Sequence, residues 1–580
     1  MKHNSLKGKY CDIIRVKILR SFLITVLFIF AANAPGFAQV TCTASGTWAT
    51  ATWNPSAPTP GQNVTVALGC TLTIDLNTPT INDLTINGTV IITNTAVSYL
   101  TVAGNLVVNT GGSLQNNGSI EFTTPNKSFA LNGTATYIHN PRNNASLDES
   151  IFSNSLEAFS ATSNLVIQKW SDGSIPLGDP SRVATSIFGN LTLAANVSGG
   201  TWDQDGYFAT NRIRGNLTVS ASTIVMDDGT GISTSLFLQD VLINSTGNIV
   251  FQRGMNRSLS LSTNNFTISS VAPAKPTVIM DTSYGVLNWV VTGNLNINYD
   301  FNAVYGSSFA VGADIRVTVT GNLNLSGGNI IFNNKADAPL RLTVNGTTTF
   351  NNTTVGGTTC LIEGANGALT MTTQDLVIQT GGPNYFLGKP GAIISAKGAG
   401  TITINNDLTV SGTATTYFSY SDSLAAKVRI DCRRDIILNG TGALTIGAYT
   451  NGAFTISAAR NFVQTKGQFI GQFYTPNISI DSVIVGGDFT FNSTTASDYF
   501  KGNKSAGSTI IKTTGNFNVT NSGTASGQGV IGVDSSAASL LFSVGANFVQ
   551  NGGSFSGILN GSGPATFTVT GIVDVNAGTF

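Results

Sequence analysis

The feature that most constrains this chain is a short strand, corner and strand unit that recurs along most of its length. Its clearest copy is Val317-Thr-Val-Thr-Gly-Asn-Leu-Asn-Leu325, in which valines and leucines alternate with polar residues at the period of a β-strand. Gly321 and Asn322 interrupt this alternation, and both residue types favour a bend. The repeated unit therefore predicts two strands joined at one corner.

Copies of the unit align on the Asn or Asp that precedes a Leu or Phe, which we call the anchor. From Asn164 onward, the intervals between successive anchors run from 24 to 32 residues and average about 27, a period typical of solenoids, propellers and arrays. The anchors are Asp83, Asn105, Asn164, Asn190, Asn216, Asp240, Asn265, Asn294, Asn322, Asp375, Asp407, Asp435, Asn461, Asp488, Asn516 and Asn547, with degenerate copies at Thr347 and Ile572.

The strand content of each unit distinguishes a solenoid from a propeller. A propeller blade needs four strands and about 40 residues, whereas each unit here offers two good strands and a weaker third, such as Ile330 to Phe332. We therefore predict an all-β fold, a right-handed parallel β-helix (β-solenoid) with about 27 residues per coil and an N-terminal cap. Like strands would stack about 4.8 Å apart, and the Asn anchors would form a side-chain amide ladder along one corner.

The N-terminus has the pattern of an export signal. Basic residues, among them Lys7, Lys9, Arg15, Lys17 and Arg20, precede a short apolar run, Phe22 to Ala32, and small residues follow at Gly36 to Ala38. The run has about 11 residues, whereas a membrane-spanning helix needs about 20. We predict a signal peptide over residues 1–38, no membrane span in the mature chain, and a secreted protein in the extracellular space or on the outer cell surface.

The rest of the chain divides by the regularity of the repeat. We predict an N-terminal cap and first strands at 39–80, first coils at 81–124, an irregular coil or loop insertion at 125–185, and regular β-helix repeats at 186–580. Trp48 and Trp53 lie ahead of the first coil, where they would serve either as a cap or as a sugar-binding platform. The chain stops partway through a coil, so we expect the repeats to be truncated at the C-terminal end.

Composition excludes one class of partner. Only 10% of residues are charged, Lys plus Arg equals Asp plus Glu at 29 each, and no basic patch is present, so nucleic-acid binding is not predicted. The 64 glycines could suggest disorder, but the 41% hydrophobic content recurs at period two. A surface polysaccharide or another extracellular ligand is the partner class that remains.

Four cysteines remain after removal of the signal peptide. Cys42 and Cys70 flank the first mature segment and are predicted to form a disulfide in an oxidising compartment. Cys360 and Cys432 fall at different phases of the repeat and roughly 14 Å apart along the axis, beyond disulfide reach, so both are predicted to be buried thiols. His139 is the only histidine left and is predicted to be loop surface, which removes most histidine-based catalytic or metal clusters.

A family resemblance rests on the opening Gly46-Thr-Trp48, Trp53-Asn-Pro55 and Asn63-Val-Thr-Val66, followed by the Gly-Asn-Leu or Gly-Asn-Phe repeats. Together they resemble large secreted adhesin-like β-solenoid repeat proteins of Gram-negative gliding-type bacteria, which are type IX secretion substrates with a pectin-lyase-like parallel β-helix. The resemblance implies a structural or adhesive, non-catalytic surface module. It covers nearly the whole chain, but its motifs specify coils rather than chemistry.

The alternative is a carbohydrate-active β-helix enzyme, either a polysaccharide hydrolase or a lyase. Asp203, Asp205, Asp227, Asp228 and Arg253 follow their anchors by 11 to 15 residues, so they could stack on one face, and glycoside hydrolysis requires two carboxyl groups. The arrangement loosely resembles polygalacturonase-type β-helix enzymes, but their His and Arg-x-Lys elements are missing here. Asp-Gly and Asp-Asp-Gly are also ordinary turn sequences, so an enzyme is the less favoured hypothesis.

A second acidic column consists of Asp375, Asp407 and Asp435, which occupy the corner in three consecutive coils. Carboxylates stacked about 4.8 Å apart repel unless they are solvated, paired with nearby arginines or bridged by a cation such as Ca²⁺. Calcium is therefore a possible metal here, and no other cofactor is predicted. Ice binding would require an outward threonine column, which Thr318, Thr343 and Thr403 do not continue regularly.

Overall fold

The computed structural model describes most of the chain after residue 38. The described residues are 39–142, 155–169, 188–194, 201–203, 213–221, 223–225, 234–244, 247–252, 258–269, 278–280, 286–298, 301–302, 314–327, 329–333, 339–352, 358–362, 367–388, 398–420, 427–448, 452–472, 480–503, 507–522, 529–534, 539–559 and 563–580. Within them all regular structure is β-strand, and there is no helix long and apolar enough to cross a membrane.

The strands form a parallel solenoid with three faces. Face 1 precedes face 2 in each coil and contains Gln39–Ala44, Asn63–Val66, Leu84–Ile86, Leu106–Val108, Lys127–Leu131, Ser155–Phe159, Thr234–Leu238, Leu259–Thr263, Val286–Val291, Asp314–Val319, Leu340–Val344, Leu369–Thr373, Gly400–Ile404, Val428–Cys432, Phe454–Ala458, Ile480–Val485, Ser508–Thr513, Leu540–Val544 and Ala565–Val569.

Face 2 is the longest ladder. It contains Gly46–Thr47, Thr71–Ile74, Thr89–Ile92, Ser113–Asn116, Thr136–His139, Asn164–Ile167, Asn190–Leu193, Leu217–Val219, Val241–Asn244, Phe266–Ser269, Leu295–Ile297, Leu323–Leu325, Thr347–Phe350, Asp375–Ile378, Leu408–Val410, Ile436–Leu438, Phe462–Gln464, Phe489–Ser493, Phe517–Asn521, Phe548–Ile558 and Val573–Thr579.

Face 3 is the third side of the coils, and its strands form three separate ladders along the solenoid. It contains Tyr99–Val102, Ser119–Phe122, Thr201–Asp203, Thr223–Val225, Asn248–Gln252, Val278–Met280, Phe301–Asn302, Asn329–Asn333, Thr358–Ile362, Asn384–Leu387, Thr416–Tyr420, Ala443–Ala448, Gln468–Gln472, Tyr499–Asn503 and Val530–Val533. The long strand Phe548–Ile558 turns the corner between faces 2 and 3, because it pairs with Phe517–Asn521 and with Val530–Val533.

The register of face 2 follows the predicted repeat. Asn164 pairs with Asn190, and each residue that follows an anchor pairs with its counterpart one coil later, through to Phe548 and Val573. The prediction of a parallel β-solenoid with roughly 27 residues per coil is confirmed.

Two early anchors occupy a different corner from the one that the series implies. Asp83 and Asn105 lead the face 1 strands Leu84–Ile86 and Leu106–Val108, which pair with each other. In this part of the chain the face 2 rungs begin at Thr71, Thr89, Ser113 and Thr136. The same Asn or Asp signal therefore marks two corners, and sequence spacing alone did not separate them.

The core follows from the strand alternation. On Leu323–Leu325, for example, both leucines are fully buried and the intervening Asn324 is half-buried. Most buried apolar side chains form one cluster from Cys42 to Phe555, and Cys360 and Tyr385 form a second, small one. In the later coils the residue after the anchor is Phe, and these rings stack with centroid separations of 4.8, 4.3 and 5.7 Å from Phe462 through Phe489 and Phe517 to Phe548.

The N-terminal end of the core is covered by the first strands. Gln39–Ala44 pairs in parallel with Asn63–Val66 and antiparallel with Thr52–Asn54, so its outer edge is not left open. Trp48 is buried in the core cluster, and Trp53 packs on it with ring centroids 5.3 Å apart and donates its Nε1–H to the Trp48 carbonyl. Both tryptophans thus contribute to packing at this end.

The segment 125–185 contains ordinary rungs as well as residues outside the described part. Lys127–Leu131, Thr136–His139, Ser155–Phe159 and Asn164–Ile167 all pair in parallel with neighbouring coils. His139 ends one of these strands and is fully buried. The prediction that His139 lies on a loop surface is therefore wrong, because it occupies an inward position of the strand alternation.

Candidate functional site

The residues of the enzyme alternative fall mostly outside the described part of the chain. Asp205, Asp227, Asp228 and Arg253 all lie there. Asp203 ends the face 3 strand Thr201–Asp203, and its backbone pairs with Val225 on the next coil. The carboxyl separations on which a glycosidase would depend stay a prediction.

A ladder of hydrogen bonds runs along the corner that leads into face 2. In this corner ladder, the main-chain N–H of each anchor donates to the Oδ1 atom of the anchor one coil earlier. The Asn322 N–H donates to Asn294 Oδ1 at 2.8 Å, and the Thr347 N–H donates to Asn322 Oδ1 at 2.9 Å. The same bond recurs from Asn190 to Ile572 wherever the lower anchor carries Oδ1.

The corner ladder differs from the predicted amide-to-amide ladder. Its common element is a side-chain oxygen accepting a main-chain hydrogen bond, which Asn and ionised Asp can both provide. An amide-to-amide contact is present at the first rung, where Asn190 Nδ2 donates to Asn164 Oδ1 at 2.9 Å. The equivalence of Asn and Asp in the repeat follows from the acceptor role.

The corner ladder explains the glycine that often precedes an anchor. A Cβ at Gly321 would lie 2.5 Å from Asn294 Oδ1, and Gly215, Gly293, Gly346, Gly487, Gly515 and Gly571 meet the Oδ1 atom below them in the same way. The ladder N to Oδ1 distance is 2.7 to 3.0 Å on glycine rungs. It is 3.1 to 3.3 Å where Gln239, Asn264, Asn406 or Ala546 precedes the anchor, but 2.9 to 3.0 Å where Arg434 or Arg460 does.

The Asp375, Asp407 and Asp435 column is part of this corner ladder, and the three residues are in register. Asp407 Oδ1 accepts from the Asp435 N–H at 3.0 Å. Arg434 lies 3.6 Å from Asp407, and Arg460 lies 3.3 Å from Asp435. The carboxylates are thus bound by main-chain donors and guanidinium groups.

Metal chemistry at the acidic column stays a prediction. Among the residues described, no group of three or more His, Cys, Asp or Glu side chains is placed to hold a metal ion. A calcium ion at Asp375, Asp407 and Asp435 would compete with donors that already occupy their oxygens.

The structure joins Cys42 and Cys70 in a disulfide, and Cys360 and Cys432 are separate buried thiols. Cys432 donates to the main-chain oxygens of Asn406 and Asp435, and burial raises its pKa to about 11. The thiol is therefore protonated near neutral pH, which does not suit a nucleophile.

A tyrosine cluster on face 3 was not anticipated from the sequence. Tyr385 and Tyr417 stack with centroids 5.1 Å apart, and Tyr420 packs edge-on against both rings. Tyr385 is buried, and burial together with the neighbouring tyrosines raises its pKa well above the ordinary value. Their positions gave no signal because they lie on the weakly patterned third strand of the coil.

An axial groove lies at the corner between faces 1 and 2. It has a volume of about 470 Å³, extends from Ala161 to Thr292, and has Leu238 and Thr263 among its lining residues. The side chains that give it polar and aromatic character are Arg214, Phe237, Gln239, Ser262, Asn264 and Thr292. Phe237 is 55% exposed. This groove has no signature in the sequence, because its residues come from separate coils.

The outward column of face 1 continues from this groove. Phe237 pairs with Ser262 and Ser262 with Val290, followed in register by Thr318, Thr343, Thr372 and Thr403. Thr372 supplies the rung between Thr343 and Thr403, so four threonines follow one another, but the threonine column does not continue through many coils. The run ends at Asp431, which is paired with Arg429.

Comparison with known proteins gives one match. Residues 50–148 match the G8 domain family, a stretch that includes the first complete coils and ends before the axial groove. No curated protein matches the chain, and no solved structure matches it. A parallel β-solenoid with a segment similar to a G8 domain fits a β-helix family.

Proposed function

We propose that this chain is a secreted or cell-surface structural and adhesive β-solenoid module without catalytic activity. The observation that supports this function best is the corner ladder, which recurs with the face 2 register over most of the chain. Each coil is hydrogen-bonded to the next through strands and corner alike, which suits a rod that bears load or presents a surface.

Two further observations agree with a place outside the cell. G8 domains occur in extracellular proteins, and the Cys42–Cys70 disulfide is of the kind that persists in oxidising compartments. We further propose export by a type IX secretion route in a Gram-negative gliding-type bacterium, as the N-terminal resemblance implies. Cell fractionation tests this: the chain should reach the outer surface, and loss of the type IX machinery should retain it in the periplasm.

Adhesion and catalysis are separated by one experiment. Beads coated with the purified chain should be retained under flow on surfaces coated with extracellular polysaccharide, while the polysaccharide stays intact by chromatography of reducing ends and unsaturated products. Release of oligosaccharides that grows with time would instead support the hydrolase or lyase alternative. Absence of both retention and product would contradict the adhesive role.

A further inference from the structure

The lining of the axial groove has the chemistry of a sugar site. Phe237 presents an exposed ring, which can pack on the apolar face of a pyranose, and hydroxyl and amide groups surround it. Gln239 is exposed and makes no side-chain hydrogen bond among the described residues. An aromatic ring beside the Gln239 amide and the Ser262 hydroxyl matches a sugar ring that is apolar on its faces and polar at its rim.

The groove also has the geometry of a linear ligand. Its residues come from successive coils, so their spacing along the axis is about 4.8 Å, close to the length of one sugar unit in an extended glycan. The coil of Ala161 and that of Thr292 are five steps apart, so the groove spans about 24 Å on the same spacing, and the coil anchored by Asn190 contributes no lining residue among those described. A straight ligand parallel to the axis would meet one set of polar groups per unit.

The charge of the groove lining indicates which class of glycan the groove would bind. Among the described residues that line the groove, Arg214 is the one that carries a charge. The adjacent anchor Asp240 is already an acceptor for Asn264 Nδ2 and for the Asn265 N–H and Nδ2. A polyanion carries a charge on every unit, whereas hydroxyl and amide groups recur here and cations do not, so the groove favours a neutral chain.

We propose that the axial groove binds a neutral, extended, β-linked polysaccharide with its chain parallel to the solenoid axis. The site rests on the proposed adhesive function and gives that function a ligand class. Phe237 supplies the stacking platform, while Arg214 and Gln239 bind sugar hydroxyls. Beyond Val290, the outward threonines Thr318, Thr343, Thr372 and Thr403 form a hydroxyl column on face 1 in line with the groove.

Calorimetric titration of the purified chain with cellohexaose tests the site. Maltohexaose, which coils, and oligogalacturonate, which is charged, serve as comparison ligands. We expect cellohexaose to bind most tightly, with little dependence on salt because the contacts are uncharged. Phe237→Ala should weaken binding about tenfold, as loss of a central aromatic anchor commonly does.

Matched variants on the same face control for nonspecific effects. Leu541→Ala removes another exposed apolar side chain, and Arg429→Gln removes another exposed arginine; neither should change the affinity for cellohexaose. Arg214→Gln should weaken it by about twofold to fivefold, as loss of one hydrogen-bonding group does.

Three results would overturn the proposal. They are no binding of cellohexaose, equal binding by Phe237→Ala, and a salt-sensitive preference for oligogalacturonate. If beads coated with the chain are still retained on polysaccharide surfaces in any of these cases, the adhesive function stands. Only the assignment of the axial groove as the binding site is then wrong. If beads coated with the wild-type chain are not retained on polysaccharide surfaces, the proposed adhesive function itself is wrong.

Discussion

At the scale of single residues, the side chain at one corner influences which residue is used one coil above it. Where the lower anchor is Asn265, Asn294 or Asn322, the residue before the next anchor is glycine, which leaves room for Oδ1. Where the lower anchor is Asp240, Asp375, Asp407 or Asp435, that residue is Asn264, Asn406, Arg434 or Arg460, and each of these side chains contacts the carboxylate below. Three rungs of the corner ladder depart from the pattern, namely Gly515 above Asp488, Gln239 above Asn216 and Ala546 above Asn516.

The pair Gly293 and Asn265 tests this packing. A Cβ at Gly293 would overlap Asn265 Oδ1, so Gly293→Ala should reduce the local free energy of opening by about 1–3 kcal/mol. In an Asn265→Ala background the same change should cost less, because the obstructing oxygen is gone. Hydrogen exchange on Val286–Val291 and Leu295–Ile297 measures the free energy of opening in both backgrounds. Strictly additive effects of the two substitutions would refute a contact between position 293 and Asn265 Oδ1.

Asn322 distinguishes an acceptor ladder from an amide ladder. Asn322→Asp keeps the oxygen that accepts the Thr347 N–H and should change stability little, whereas Asn322→Leu removes it. We expect Asn322→Leu to cost about 1 kcal/mol, seen as faster hydrogen exchange at the Thr347 amide. Equal losses in both variants would show that the amide nitrogen, rather than the oxygen, is what the corner requires.

How much the sequence reveals at this scale depends on periodicity. The anchors from Asn164 onward could be placed because Asn and Asp recur beside a period-two pattern. The direction of their hydrogen bonds could not, because it depends on which oxygen approaches which N–H across 25 or more residues. Phe237 and Asn264 gave no signal, since a groove assembled from separate coils has no local sequence signature.

At the scale of elements, the inward positions of a strand explain both the successes and the errors. Leu323 and Leu325 alternate regularly, so their burial could be predicted. His139 occupies the same kind of inward position at the end of Thr136–His139, but a polar residue in an irregular stretch of sequence suggests a surface. Tyr137 allows His139 to be buried. Its hydroxyl lies 2.9 Å from His139 Nδ1 and gives the imidazole a buried hydrogen-bond partner.

Burial of His139 makes the first coils sensitive to acid. Desolvation lowers its pKa from 6.5 to about 3, so the folded coil holds a neutral imidazole while the unfolded chain binds a proton below pH 6.5. Acid therefore lowers the free energy of unfolding of this coil. The loss is absent above pH 6.5, grows as the pH falls, and reaches about 2 kcal/mol at pH 5. Hydrogen exchange on Ser113–Asn116 and Thr136–His139 at pH 7 and pH 5 measures it.

His139→Gln is the matched control for the acid effect, because glutamine is polar but does not titrate. The variant should lose most of the difference in protection between pH 7 and pH 5 in those two strands. An undiminished difference would assign the acid sensitivity to carboxylates elsewhere in the N-terminal coils.

At the scale of the whole molecule, the solenoid is close to a one-dimensional array. Each face 2 strand pairs with the strands of the coils before and after it, so local damage should spread to neighbours and fade with distance. This behaviour differs from that of a globular core, in which one buried charge weakens the entire domain. The same property suits a rod that must keep its shape while individual coils open.

Leu323→Asp tests this expectation for the chain as a whole. Leu323 is fully buried and pairs with Leu295 on one side and Thr348 on the other, so a carboxylate there should cost several kcal/mol locally. We expect hydrogen-exchange protection to fall most in Leu295–Ile297, Leu323–Leu325 and Thr347–Phe350, and to be unchanged in Thr89–Ile92. Asn324→Asp, on the outward side of the same strand, should leave all four strands protected. Because the coils are coupled only through their neighbours, a uniform loss of protection from the first coil to the last would show that the chain unfolds as a single cooperative unit.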